Sequence, residues 1–121
     1  MSVPVPLDRN LVILRGVLSR PPEWRTLPSG DALVAYEVTT RTRDGAALTV
    51  PVTCDRADAP VDLETGAEVV VTGVVRRRYF RAGGATQSRT EVVADVVVAA
   101  RQSSKARRAV ARALLAAGLA A

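Results

Sequence analysis

The sequence predicts an all-β domain, a five-stranded Greek-key barrel with a C-terminal helix, and three observations carry that prediction. Nearly half of the 121 residues are apolar but only four are aromatic, so the core is built from Val, Leu, Ile and Ala. The abundance of Val favours strands. Turns with a local mechanism recur at Leu27-Pro28-Ser29-Gly30-Asp31, Asp44-Gly45 and Gly83-Gly84. Between them apolar and polar residues alternate, the period of a half-buried strand. A chain of this length fits one domain and is long enough to bury a core.

Residues 1–9, punctuated by Pro4 and Pro6, read as a flexible lead-in, residues 10–100 as the barrel and residues 101–121 as a basic helical tail. Asn10–Ser19 is the first strand, with Val12, Leu14, Gly16 and Leu18 toward the core. Its other side, Leu11, Ile13 and Val17, is apolar too, broken only by Arg15. A strand apolar on both sides is buried on both, or buried on one and used for association on the other. Arg20-Pro21-Pro22-Glu23 ends it, because proline cannot continue a ladder. Ala32–Arg43 is the second strand, with Tyr36 on the core side beside Val34 and Val38. Asp44-Gly45 turns it into the third, Ala47–Cys54.

Asp58–Gly66 reads as a short helix between strands 3 and 4, capped by Asp58, tolerant of Pro60 in its first turn and ended by Gly66. Glu68–Phe80 and Arg89–Ala99 pair as a long hairpin around the Gly-Gly turn. Over Ser104–Leu119 the period becomes helical. Val110, Leu114 and Leu115 form a stripe, Lys105, Arg107, Arg108 and Arg112 cluster toward the start, and Gly118 closes the end. Such a helix supplies phosphate contacts, packs its stripe on a partner, or frays. Three strands, a helix, two strands and a terminal helix is the connectivity of the OB-fold, although order and composition alone leave other small β-barrels open.

The net charge of +5 is unevenly spread. Residues 1–75 hold seven Arg against ten acids, whereas residues 76–121 hold ten basic groups against Glu91 and Asp95. A basic half points to a polyanionic partner, nucleic acid or an anionic membrane surface. The plainer alternative is a soluble surface in an Arg-rich sequence, since sixteen of the seventeen basic residues are Arg.

Enzyme chemistry finds little footing. There is no histidine, which removes the commonest general base and the commonest metal ligand together. Cys54 stands alone, so no intrachain disulfide or thiolate cluster forms, and it reads as a small buried hydrophobe. Asp55, Asp58, Asp62 and Glu64 span the expected helix start and read as cap and surface charge, not a metal site. No cofactor, no metal and no enzymatic activity are expected. No signal peptide or run of ~20 apolar residues is visible, so a cytoplasmic, nucleoid-associated location without membrane contact is the expectation.

The hairpin is the candidate site. Alternation puts Arg76, Arg78 and Phe80 on one face and Arg77, Tyr79 and Arg81 on the other, with Arg89 on the returning strand. Guanidinium groups interleaved with aromatic rings suit phosphates and stacked bases. The plainer alternative is a solvated tip whose arginines keep an edge from pairing. Arg41 and Arg43 flank the Asp44-Gly45 turn beside the same groove, and Trp24 either stacks a base or closes the barrel's end.

Several segments together resemble bacterial single-stranded DNA-binding proteins. Asn10-Leu11-Val12-Ile13-Leu14-Arg15-Gly16 followed by Pro22-Glu23 is similar to that family's opening strand, and Leu27 to Asp31 to the turn before its second strand. Gly66 to Phe80 resembles its G-x-x-V-x-V-x-G-x-L-R-x-R-x-aromatic segment, followed by Arg89-Thr90-Glu91-Val92. The likeness is strongest to short, Arg-rich, single-OB versions of the actinobacterial kind. It implies an OB barrel that binds single-stranded DNA with little sequence preference in replication, repair or recombination and assembles into dimers or tetramers. Phe80 then falls on the family's stacking aromatic, and Leu11, Ile13 and Val17 fall on a subunit contact. Two features depart from the pattern. Arg41, Thr42, Arg43 and Leu48 occupy the regions of the family's other stacking aromatics, and a basic helical tail stands in place of its acidic one.

These readings give single-stranded DNA as the expected partner, with RNA left open because discrimination rests on 2′-hydroxyl contacts. About five neutralised phosphates imply a log–log salt slope of roughly −3.5. The other reading is an OB-type assembly module with weak or no affinity for DNA.

Overall fold

Residues 8–120 are described by a computed structural model, and most of the expected lead-in lies outside them. The elements in order are β1 (Val12–Leu18), β2 (Glu23–Thr26), β3 (Ala32–Arg41), β4 (Ala47–Cys54), β5 (Glu68–Ala82), β6 (Ala85–Ala99) and α1 (Ser103–Ala116). The strands hydrogen-bond in the order β1-β5-β6-β4-β3-β2, and β1 also meets β3 through Val17 opposite Thr39 and Leu18 opposite Val38. That last contact closes the barrel. The β4–β6 pairing is parallel, at Val52–Val92 and Thr53–Val93, and the others are antiparallel.

Two expectations are corrected. The Pro21-Pro22 pair interrupts the first strand without ending it, and pairing resumes on the same edge of β3, where Glu23 faces Ala35 and Thr26 faces Ala32. Prolines cannot donate to a ladder, yet the chain runs antiparallel to β3 on both sides of the pair. Hence β1 and β2 are two arms of one bent strand, and the barrel still counts five.

The second correction is the helix over Asp58–Gly66, which does not form. Residues 55–67 are held by isolated turns, such as the Ala59 N–H on the Arg56 carbonyl (3.1 Å) and the Ala67 N–H on the Glu64 carbonyl (3.0 Å). Ala59 and Leu63 are spaced like one turn of helix, but both sink into the core from a loop. The Pro60 carbonyl, which a helix would need as an acceptor, takes the Tyr36 hydroxyl at 2.6 Å instead.

The core follows the alternation. Val34, Tyr36 and Val38 of β3 pack with Val52 and Cys54 of β4, Val69 and Val71 of β5, and Val92 and Val97 of β6. Burial pushes the Tyr36 phenol well above its usual value, with Cys54 and Asp58 adding to the shift, and burial likewise pushes the Cys54 thiol up. Two glycines permit close backbone approaches. A Cβ on Gly16 would overlap the Thr39 carbonyl oxygen where β1 crosses β3. A Cβ on Gly73 would overlap the Val93 carbonyl, at the bulge where Thr72 faces Val96 but Gly73 faces Ala94.

Helix α1 seats itself on the outside of its own barrel. Ala106 packs with Val70 and Val98, joined by Val96, Ala100 and Val110, and Ala109 is also buried. Small residues let the helix lie close to the sheet. The stripe read from the sequence is therefore divided, with Val110 and Leu114 half-buried and Leu115 exposed. Lys105, Arg107, Arg108 and Arg112 face solvent. Gly118, at φ 72°, ends the helix as expected, with the Leu119 N–H on the Leu114 carbonyl at 2.8 Å. No helix among the described residues is long and apolar enough to cross a membrane.

Candidate nucleic-acid interface

The β5–β6 ribbon outruns the rest of the sheet. Pairing with β1 stops at Val12 opposite Gly73, and pairing with β4 stops at Val52 and Thr53. The Asn10 side chain stands in for the missing strand, accepting from the Val75 N–H and donating to the Val75 carbonyl, both at 2.8 Å. Beyond it the two strands pair only with each other, from Arg76 opposite Glu91 to Ala82 opposite Ala85. At a rise of ~3.4 Å per residue the hairpin projects about 20 Å. Gly83 and Gly84 (φ 58° and 79°) close it with the positive φ pair that matches strand twist.

The two faces carry different electrostatics. On the outer face, Glu91 is only 3% exposed and receives Arg76 Nη2 at 2.9 Å and Arg78 Nε at 3.3 Å. The Arg78 guanidinium lies over the Phe80 ring, 5.4 Å from its centroid. One carboxylate thus restrains two guanidiniums and helps hold one of them against an aromatic ring. Arg89, directly opposite Arg78, is half-buried and has no ion pair among the described residues.

The opposite face continues the side of the sheet that forms the core lower down. Arg77 donates from Nε and Nη2 to Ser88 Oγ at 3.1 and 3.0 Å, and lies 5.5 Å from the Tyr79 ring centroid. Arg81 donates to the Gly84 carbonyl at 3.0 Å. Both arginines are anchored by neutral groups and keep their full charge. No carboxylate among the described residues pairs with either.

Beside the outer face lies a shallow groove across the outside of the barrel, where Arg89 and Glu91 meet Pro51, Thr53, Arg20 and Arg25. Its charge is balanced, for Arg20 pairs with Glu37 (3.4 Å) and Arg25 with Glu23 (3.9 Å). Trp24 is exposed on β2, opposite Val34, and alternation turns it away from the Glu23 and Arg25 side that lines the groove. Arg41 ends β3 and folds back onto the Gly45 carbonyl at 2.9 Å, while Arg43 is exposed in the turn. Thr42 and Ala46 hydrogen-bond to the Asp44 carboxylate and hold it below its ordinary value, the Thr42 hydroxyl most of all. Ile13 and Val17 are exposed on the outer side of β1, with Arg15 between them paired to Glu68, and Leu11 is half-buried just before the strand.

No protein-family model matches the chain, and no curated protein matches its sequence. Among solved structures it is similar to a Plasmodium falciparum SSB in complex with ssDNA, with a TM-score of 0.58 and 20% identity over 71% of this chain and 86% of that one. The barrel is an OB-fold. OB-folds that bind oligonucleotides use the face of strands 2 and 3 with the loops joining strands 1–2 and 4–5. Here these are the outer sides of β3 and β4, the turn at residues 27–31, and the hairpin.

That placement brings Arg76, Arg78, Phe80 and Arg89 to one surface. Arg77, Tyr79 and Arg81 lie on the reverse of the ribbon, and Trp24 and Arg43 lie apart from the groove. Three residues of this surface escaped the sequence reading: Glu91, Arg20 and Arg25. Glu91 was legible in principle, because a two-residue turn at Gly83-Gly84 fixes Arg76 opposite residue 91.

Proposed function

We propose that the chain binds single-stranded DNA with little sequence preference, through the hairpin and the adjoining OB groove, without enzymatic activity. The observation that carries this reading is the freestanding ribbon bearing two guanidinium–aromatic stacks on an OB barrel. Arg76, Arg77, Arg78, Arg81 and Arg89 engage phosphates, Phe80 stacks a base with Tyr79 as a second platform, and Arg41, Arg43 and Trp24 are peripheral contributors. Within this reading the chain is a short, actinobacterial-type relative of bacterial single-stranded DNA-binding proteins, serving replication, repair or recombination in the cytoplasm. The paired charge of Glu91 trims the electrostatic expectation. Five hairpin arginines less one neutralised charge leave about four, a log–log salt slope of roughly −2.8.

Fluorescence titration of labelled oligo-dT at several salt concentrations tests the proposal. Binding at low salt with that slope is expected, and no binding at low salt overturns it. Phe80→Ala should weaken binding by ~1–3 kcal/mol with the slope unchanged, and Arg81→Ala should make the slope shallower by about 0.7.

Assembly of copies is a second reading, favoured by one observation. Ile13 and Val70 of the sheet and Val110 and Leu114 of α1 line an apolar groove of about 390 Å³. Self-association through Leu11, Ile13 and Val17 into a dimer or tetramer is compatible with DNA binding, since Ile13 and Val17 sit on β1 below the point where the ribbon leaves the sheet and only Leu11 borders its root. Size-exclusion chromatography with and without oligonucleotide separates the cases. Assembly with no shift on adding DNA favours a pure interaction module.

A further inference from the structure

We propose that the hairpin carries two separate single-strand sites, one on each face, so that one chain holds two short single strands, or two segments of one long strand, side by side. This rests on the binding reading above and deepens it. The second site is the Arg77–Tyr79–Arg81 face.

Successive side chains of a pleated ribbon point to opposite sides. A strand lying on Phe80 therefore reaches Tyr79 only by crossing the ribbon's edge or rounding its tip. Each face is complete in itself. Phe80 has Arg78 at 5.4 Å and Tyr79 has Arg77 at 5.5 Å, a ring for a base beside a guanidinium for its phosphate.

The reverse face is the less restrained electrostatically. Its arginines are tethered to Ser88 Oγ and the Gly84 carbonyl, neutral groups that orient them without cancelling charge. On β6 the residues opposite Arg77, Tyr79 and Arg81 are Thr90, Ser88 and Thr86, a floor of small hydroxyls that clears the ring. Tyr79 is 65% exposed. Charge alone serves to keep an exposed ribbon soluble and unpaired. An open aromatic ring under a guanidinium adds nothing to that purpose but supplies a stacking platform.

Native mass spectrometry of the full chain with oligo-dT of about five nucleotides, near the lower end of OB-fold site sizes, reads the number bound per chain. The ratio per chain is independent of self-association. The expected result is two oligonucleotides per wild-type chain at saturation. Tyr79→Ala and Phe80→Ala should each weaken one of the two by about tenfold or more while leaving the other, as loss of a stacking platform implies. Matching thermal midpoints for the three proteins confirm that each is folded. A single oligonucleotide per wild-type chain, or a second one indifferent to Tyr79→Ala, overturns the second site. No oligonucleotide bound at all overturns the DNA-binding reading itself.

Discussion

Replacing Glu91 by Gln removes one negative charge from beneath Arg76 and Arg78 while keeping the side chain's shape. The effect on stability is set by where the guanidiniums sit. Glu91 is buried, but the side chains of Arg76 and Arg78 are 51% and 43% exposed, so water solvates the charges that the carboxylate releases. The loss therefore lies nearer the ~1 kcal/mol of an exposed pair than the ~3–5 kcal/mol of a buried pair broken on one side. About 1 kcal/mol corresponds to a fall in Tm of roughly 4 °C for a domain of this size. Binding should move the other way. One more uncompensated guanidinium adds about one phosphate contact, steepening the salt slope from roughly −2.8 to roughly −3.5 and tightening binding at low salt. Oligo-dT titrations of both proteins across salt concentrations provide the measurement. An unchanged or shallower slope refutes the reasoning, because it means that Arg76 and Arg78 do not meet phosphates or meet them only when Glu91 aligns them.

Tyr36→Phe orphans the Pro60 carbonyl and should cost ~1–3 kcal/mol, read as a lower urea midpoint with an unchanged m value. Because the phenol's pKa is raised by burial, its contribution is complete below the unfolded-state value of about 10 and lost as pH rises beyond it, so the two proteins should converge in strong alkali. Gly73→Ala drives a Cβ into the Val93 carbonyl and should destabilise by about 3 kcal/mol. Asp44, held below its ordinary value by Thr42 and Ala46, should keep the β3–β4 turn intact above about pH 4 and release it as pH falls through its lower folded value. The Ala46 amide shift reports that release, and a midpoint at the ordinary carboxylate value would count against it. Cys54, buried and with its thiol pushed up, should resist maleimide until the protein unfolds.

What was legible in the sequence was what local chemistry encodes. Strand β4 coincides with the expected Ala47–Cys54 because Asp44-Gly45 fixes one end and alternation fixes the rest. Gly83-Gly84 sets the register of the whole ribbon as far as the Gly73 bulge. Strand β2 was illegible because all four of its residues, Glu23 to Thr26, are exposed, so no buried face marks it. Only its hydrogen bonds to β3, a tertiary fact, make it a strand. The false helix had the converse fault. Asp58, Pro60 and Gly66 supply capping signals, but the pair Ala59 and Leu63 is recruited to plug the barrel and the Pro60 carbonyl to satisfy Tyr36. Tertiary demand outweighed weak local preference. Arg25 reaches the groove only because β2 exists, and Arg20 because Ser19 still bonds Glu37 of β3 beyond the end of β1, so both were hidden.

On the proposed function, the position of the charge decides how an OB barrel with so few aromatics would hold a single strand. Along the groove, Ala35, Pro51 and Thr53 offer no aromatic ring, and Arg20 and Arg25 are already engaged by Glu37 and Glu23. Each absent platform forgoes ~1–3 kcal/mol per base. The hairpin concentrates what remains, two rings and five arginines with one internal carboxylate, on a ribbon free of neighbouring strands. Two rings contribute at most ~2–6 kcal/mol, which alone falls short of the ~8 kcal/mol of a micromolar complex. On that reading the guanidiniums would supply the balance, and that share is the one salt removes. Binding by this chain should therefore fade with ionic strength more steeply than binding by an OB-fold lined with aromatic rings.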